Sequence, residues 1–516
     1  MGGLVFEQGG STAVANPTRA DTACLVGFLR RRGTPLPDSS RRWLSDQGWL
    51  QDRPAPWEAD DWLNLPIPVD SFDAFDALFQ WEERGDAGAP TGTPTWMGAA
   101  VKAFFEQGGL RCFIVRVGDS NVLLPPPADG DDAAQAAART DRLARLAALL
   151  PKTPPSAQQR DSWKGAAVMI GLEEACMLLV PDLPELVADA VREIPATLEP
   201  VPGPEGFVDC TPPATPETPR PSDALRSPAC SENGYLDWYR AVRSLLLLLG
   251  SFRRDAFLLA SVPLPRRGDG LESNPTGFLG RDGKGLAAAA TDLDTGLASE
   301  RLQLAYPWVQ ADWGADYPED LLPPEGFLAG LCSQGAATRG AHRSIARLPL
   351  RSVTGFTPQI PTHELVRNFT AGLAPRLADR VSLLGASPDG PMLLSDVTTS
   401  LETRLRPAAV CRLAACVLRS ALAEGRTHVF EPAGAILRTQ LLRSMNGLLS
   451  GFHAAGALAG PSEADSFSVR CDDTTTSQND QDNGRVIVEL SFTPAIPVGE
   501  ISISMSLRDG QLAAVS

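Results

Sequence analysis

Apolar and polar positions alternate with period two in two stretches near the C-terminal end of the sequence. In RVIVELSF (485–492), Val486, Val488 and Leu490 alternate with Arg485, Ile487 and Glu489. In ISISMSL (501–507), Ile501, Ile503, Met505 and Leu507 share one face and Ser502, Ser504 and Ser506 the other. Period two predicts strands. A polar loop, CDDTTTSQNDQDNG (471–484), precedes the first run, and a Pro-bounded bend, TPAIPVGE (493–500), separates it from the second. A lone two-stranded hairpin is marginal in water, and a terminal strand leaves unpaired N–H and C=O groups. Two readings stay open: an edge strand completing its own sheet, or a strand added between subunits.

Upstream, short apolar runs alternate with helix-period stretches. TACLVGFL (22–29) predicts a buried strand, followed by a loop holding Trp43, Trp49, Trp57 and Trp62. Within 67–81, Ser71 is placed to cap a helix carrying Phe72, Phe75 and Phe79. Over 93–109 a second helix turns Val101, Phe104 and Phe105 inward and stops at Gly108-Gly109, before a strand at 111–118. The phenylalanine stripe reads as core. A helix is predicted over 132–150, two short buried strands within 163–186, and a helix, turn and buried strand over 235–265. Strands follow at 302–311 and as a pair within 351–400, clearest at 381–386. The helix at 403–425 has apolar positions 410, 413, 414, 417, 418 and 421, and a strand and turn occupy 427–434. The helix at 435–460 sets Ile436, Leu437, Leu441, Met445, Leu448 and Phe452 on one face, with Arg438, Thr439 and Arg443 off it. This is an α/β pattern: mixed sheets flanked by helices in a multi-domain chain.

With 516 residues the chain has room for two or three domains. The Pro-rich stretch 195–230 and the Gly-rich stretch 266–286 read as connectors. A net charge of −16 argues against broad nucleic-acid or anionic-membrane binding, which need a basic face. Lysine occurs only at Lys102, Lys152, Lys164 and Lys284. Nine scattered cysteines, among them Cys24, Cys112, Cys176, Cys411 and Cys416, form no framework and read as buried thiols. No basic segment followed by an apolar core marks a signal peptide, and the run at 245–249 is far short of a membrane span. The expected site of synthesis and folding is the cytoplasm.

Candidate chemistry fails on spacing. GFLGRDGKG (277–285) is one residue too long between its glycines for a phosphate loop, and Gly285 stands where a Ser or Thr would meet magnesium. The acidic run at 479–484 lacks calcium-loop spacing, with Ser491 in place of a bidentate Glu. His363-Glu364 lacks the second His of a zinc helix. No nucleophile elbow is present. No catalytic, cofactor-binding or metal residues are therefore assigned, and no cofactor is expected.

Several phrases carry a family resemblance. SFDAFDALF (71–79), GAAVKAFFEQGG (98–109) with RCFIVRVG (111–118), FSVRCDDTT (467–475) and DNGRVIVELSFTPAIPVGEI (482–501) resemble contractile tail sheath proteins, the outer cylinder of phage tails, R-type bacteriocins and extracellular contractile injection systems. The resemblance implies a subunit that polymerises as stacked rings around an inner tube and drives it out by passing from a metastable extended to a contracted state, without nucleotide. It implies a linking arm at 1–17, an N-terminal core part at 18–120, an inserted α/β region at 121–300, a C-terminal sheath domain at 301–498 and a linking strand at 499–516. Strand exchange between subunits (β-augmentation by extended N- and C-terminal arms) would use Leu4, Val5, Phe6, Val486, Val488, Leu490, Ile501, Ile503 and Met505, about hinges at Pro494, Pro497 and Gly499. The 1–17 stretch also reads as a plain disordered terminus. Arg438 and Arg443 would face the inner tube. The implied partners are further copies of the chain, the tube, and baseplate and cap proteins, with no nucleic acid or membrane insertion and an end point in a virion tail or released particle. A short N-terminal arm, the 195–230 insert and the serine-rich 501–507 run depart from the family pattern. They leave open a minor sheath-like paralogue at the baseplate or cap, with an α/β enzyme as the remaining alternative.

Overall fold

The computed structural model describes residues 19–51, 62–84, 93–120, 132–150, 155–188, 226–266, 297–359, 379–428, 431, 434–482, 485–496, 504–508 and 511–515. The chain packs as two units, 1–341 with 345–423, and 342–344 with 424–516.

In the first unit, β1 (Thr22–Phe28), α1 (Asp38–Asp46), β2 (Pro66–Val69), α2 (Phe72–Leu78), α3 (Trp96–Glu106) and β3 (Arg111–Gly118) come in turn. They are followed by α4 (Asp132–Leu149), β4 (Met177–Leu179), α5 (Leu183–Val187), α6 (Glu232–Phe252) and β5 (Phe257–Ser261). The unit continues with β6 (Leu302–Tyr306), β7 (Trp308–Ala311), α7 (Glu325–Thr338), β8 (Val353–Thr357), β9 (Ser382–Ser387), β10 (Gly390–Leu393) and α8 (Ala408–Thr427), whose last turn passes into the second unit.

Eight strands form one sheet in the order β10-β9-β6-β5-β4-β1-β3-β2. The six inner strands run parallel, and β10 and β2 are antiparallel edges. Strands buried on both faces read as unbroken apolar runs, which is why CLV, MLL and FLL recur in sequence. The expected segments 18–120, 121–300 and 301–498 all contribute strands, so the boundaries at 120 and 300 fall inside this sheet. From β1 the chain goes to β2 and β3, crosses back to β4, and continues the opposite way through β5, β6 and β9. The carboxyl ends of β1 and β4 therefore flank a topological switch point.

Helices cover the sheet as the pattern predicts. The Ser71 hydroxyl accepts from the Ala74 N–H at 3.1 Å and caps α2. Phe75 and Phe79 are buried with ring centroids 5.4 Å apart, so the stripe is core. On α7, Gly326 and Gly330 lie against the backbone of α3. A Cβ on Gly326 would come within 2.6 Å of the Ala100 carbonyl oxygen, and one on Gly330 within 2.5 Å of that of Phe104.

Several expectations are corrected. Residues 163–186 hold one strand, not two; the first half is a 3-10 turn over Gly165–Ile170, started by Gly165 at a left-handed φ of 57°. The strand at 302–311 is broken at Pro307 into β6 and β7, which join different sheets. Helix α8 starts at Ala408 and runs on through Thr427, where a strand was expected. Its buried side includes Arg412 and Arg419 beside Leu413 and Val417, whereas Ala414 and Leu418 are exposed. Arg412 is buried because Asp396 receives it at 2.9 and 2.7 Å, and Arg419 because the Glu173 and Glu174 carbonyls accept from it at 3.1 and 3.0 Å.

In the second unit, α9 (Ala435–Ala454) packs on β11 (Phe467–Arg470), which pairs with β12 (Glu489–Phe492). A hairpin follows, β13 (Ser504–Arg508) with β14 (Gln511–Val515). The buried line of α9 is Leu437, Leu441, Met445 and Leu449; Ile436, placed on the buried face by pattern, is 78% exposed.

Candidate assembly interface

The strand expected over 485–492 is shorter, because side chains take the backbone of its first half. Asp472 opens a tight turn: its carboxylate accepts from the Thr474 N–H at 2.8 Å, and the Thr474 hydroxyl bond holds its pKa below the usual carboxylate range. The turn delivers the Thr475 hydroxyl to the Ile487 carbonyl at 3.0 Å, and the Thr476 hydroxyl accepts from the Ile487 N–H at 3.0 Å. Both polar backbone groups of Ile487 are thus taken, and the ladder starts at Glu489. The acidic loop latches the strand through its threonines.

From Ile487 onward, odd-numbered residues turn their backbone inward. Ser491 and Glu489 lie opposite Ser468 and Arg470. The Thr493 N–H donates to Ser466 at 2.9 Å, its carbonyl accepts from Ala459 at 2.8 Å, and the Ala495 N–H donates to Ala457 at 2.9 Å. Antiparallel pairing alternates sides residue by residue. The N–H and C=O groups of Val488, Leu490 and Phe492, with the Pro494 carbonyl, therefore line the opposite edge, and no further strand pairs there among the described residues. Side chains alternate too: Val486, Val488, Leu490 and Phe492 are half-buried, and Arg485, Ile487, Glu489 and Ser491 exposed.

Among the described residues this sheet edge is open, a template for another strand. Val486, Val488 and Leu490 are brought to one face of β12 and its lead-in. Met505 lies on β13, opposite Ala514, so the run at 501–507 is paired within the chain over its second half rather than left single. Leu4, Val5, Phe6, Ile501, Ile503, Pro497 and Gly499 lie outside the described residues. Pro494 forms a bridge with Leu458, flanked by the two bonds to Ala457 and Ala459, so the backbone is pinned at this point of the expected hinge. On α9, Arg438 is engaged by Asp473, whereas Arg443 is exposed. Sequence reasoning passed over β14, although Asp509-Gly510 between two short runs is a hairpin signal.

Among the described residues no group of three or more His, Cys, Asp and Glu side chains is placed to hold a metal, and no helix is long and apolar enough to cross a membrane. Among the described residues, eight cysteines are buried free thiols.

No protein-family model matches the sequence, and no curated protein matches it. Solved structures do. A chain of the anti-feeding prophage (AFP) baseplate in contracted state aligns with a TM-score of 0.60 at 17% identity, covering 99% of this chain and 98% of that one. A chain of the AFP helical sheath in contracted state aligns at 0.53 and 16%, covering 98% and 99%. A chain of the PVC sheath complex of an extracellular contractile injection system, also contracted, aligns at 0.54 and 13%, covering 99% and 98%. Over nearly its whole length, this chain has the fold of chains found in contractile sheaths and a contractile baseplate.

Proposed function

We propose that this protein is a structural subunit of a contractile sheath in a phage-tail-like injection system, and that it acts by assembly rather than catalysis. The observation that carries this reading is the open outer edge of β12, on a chain whose fold matches sheath chains end to end. Copies of the chain link by strands added to that edge, supplied by Leu4–Phe6 of one neighbour and the 501–507 run of another. Each added strand forming about six backbone hydrogen bonds, at roughly 0.5–1.5 kcal/mol net apiece, contributes several kcal/mol. Repeated around a cylinder, such links hold subunits together while they move outward. Of the hinge positions Pro494, Pro497 and Gly499, the first is held by residues 457–459, which favours the part of the hinge beyond Ala495. The cylinder encloses an inner tube, and Arg443 is the better placed of the two arginines to meet tube carboxylates, since Arg438 already has Asp473. Assembly takes place in the bacterial cytoplasm, with baseplate and cap proteins at the ends.

A second reading, a minor sheath-like subunit at the baseplate, is favoured by the match at TM-score 0.60 to a baseplate chain. Electron microscopy separates the two. The full-length protein co-expressed with its tube protein is compared with a chain truncated after Val498. Long hollow cylinders from the full-length chain alone establish a polymerising sheath with its link in the last strands. Single short rings support the baseplate reading, and monodisperse particles from both chains exclude the cylinder.

A further inference from the structure

The switch point of the central sheet carries a second feature. A small crevice of about 20 Å³, opening to solvent, lies beyond the carboxyl ends of β1, β3 and β4. It is lined by Phe28, Arg84, Ser120, Arg145, Asp182 and Glu185 among others. In open parallel sheets this is where ligands bind. That is room for about one water-sized group, such as a single oxygen of an anion whose remainder stays in the opening.

The lining is mostly apolar in area and carries a built set of polar side chains. Gly27 lets Asp182 close against the end of β1, since a Cβ there would lie 2.3 Å from Asp182 Oδ2. That oxygen accepts from the Phe28 N–H at 2.8 Å. Arg84 is fixed, donating to the Pro94 carbonyl at 2.7 Å and to both oxygens of Glu185 at 2.6 and 2.5 Å. Two donors are less committed. Arg145 meets the exposed Asp141 carboxylate through a single contact at 3.2 Å, one turn away on α4, a pairing of little strength. Ser120, 4% exposed, has a hydroxyl with no hydrogen-bond partner among the described residues. A buried hydroxyl without a partner is costly and calls for an explanation.

We propose that this crevice binds a small oxyanion, of the size of phosphate or acetate, held by Arg145 and the Ser120 hydroxyl. A guanidinium and a hydroxyl are donors that suit an anionic oxygen, and charge-assisted bonds are the strong ones. Glu185 does not oppose the ligand, because Arg84 neutralises it through two bonds. Burial pushes the Asp182 carboxyl up to about 7, so near neutrality much of it is protonated and can donate rather than repel. The space admits an oxygen of a compact ion and is too small for a nucleotide.

The test is calorimetric titration of the full-length protein in a non-coordinating buffer at constant ionic strength, with inorganic phosphate, acetate and chloride in separate runs. Saturable binding of phosphate or acetate, with chloride silent, is expected; which of the two binds distinguishes a tetrahedral from a planar oxyanion. Ser120→Ala and Arg145→Gln should each weaken binding by about tenfold, the loss of one bond to a charged group. Ser120→Ala removes a buried hydroxyl that holds nothing else, so its melting temperature without anion should be no lower than that of the parent. Absence of saturable binding by either oxyanion, or binding unchanged by both substitutions, overturns the proposal.

Discussion

Arg412 on α8 and Asp396 form a two-pronged ion pair, at 2.9 and 2.7 Å, with both side chains buried. Asp396 also accepts from Gln303 Nε2 at 3.2 Å and from the Ile345 N–H at 3.0 Å, so one carboxylate ties a strand, a loop and a helix together. Removing one partner leaves a buried charge without compensation, which costs about 3–5 kcal/mol. Arg412→Ala should therefore lower the urea midpoint sharply, measured by circular dichroism. A loss under about 1 kcal/mol would show that the pair is not buried in solution.

Stability should fall as pH rises through neutrality. Burial pushes the carboxyls of Asp182 and Glu325 up to about 7 and about 8, from 3.8 and 4.5. Asp182 is faced by the Phe28 and Met97 N–H groups, by Arg84 and by Glu185, and Glu325 is faced by Asp182. Both folded-state values lie above the unfolded ones, so the folded chain binds more protons in between. The resulting stability is whole below the unfolded values and lost as pH rises through the folded ones. Denaturation midpoints should be higher at pH 5.5 than at pH 8.5, and Asp182→Asn or Glu325→Gln should flatten the slope. A flat profile for the unaltered protein would rule this out.

The crossing of α3 and α7 depends on two missing side chains. With the Ala100 carbonyl oxygen 2.6 Å from the position of a Cβ, Gly326→Ala must push helix backbones apart. Overpacking of this kind costs typically about 1–3 kcal/mol, and Gly326→Val should cost more. Melting temperatures of the pair, ranked Gly, Ala, Val in descending order, are the check; an unchanged alanine variant would count against so close a crossing.

Proline distinguishes the two edges of β12. The Leu490 N–H faces outward and the Ser491 N–H faces β11, by the parity of the ladder. Proline is tolerated where its missing donor faces solvent. Leu490→Pro should fold normally, by near-ultraviolet dichroism, and fail to form cylinders, whereas Ser491→Pro should disturb the fold itself. Cylinders from Leu490→Pro would place the link between subunits elsewhere.

Much of the fold is legible because its signals are local. The apolar runs at 22–28 and 111–118, the Ser71 cap and the helix stop at Gly108 depend on neighbours within a few residues, and the structure places them where the pattern does. What escaped depends on distant partners. A helix pattern counts arginine as outward, and nothing near Arg412 in sequence reveals that Asp396 and Gln303 wait for it. Ile436 has the period of a buried position and is exposed, while Leu449 takes the place assigned to Leu448. At the interface, alternation in 485–492 identified the half-buried face. It could not reveal that Thr475 and Thr476 take Ile487, nor which edge stays open, because both depend on where the loop before it folds back.

The sheet order has a consequence for synthesis. β1 lies between β3 and β4, and about 150 residues separate the end of β1 from the end of β4. At roughly 5–20 residues per second a ribosome needs about 8–30 s to cover that distance. Through that interval a strand buried along six of its seven residues has one flank bare while other nascent copies emerge beside it on the same message. The chain must reach its own Met177–Leu179 before a neighbour's strand does, so a slower ribosome lengthens the time in which that flank can mispair.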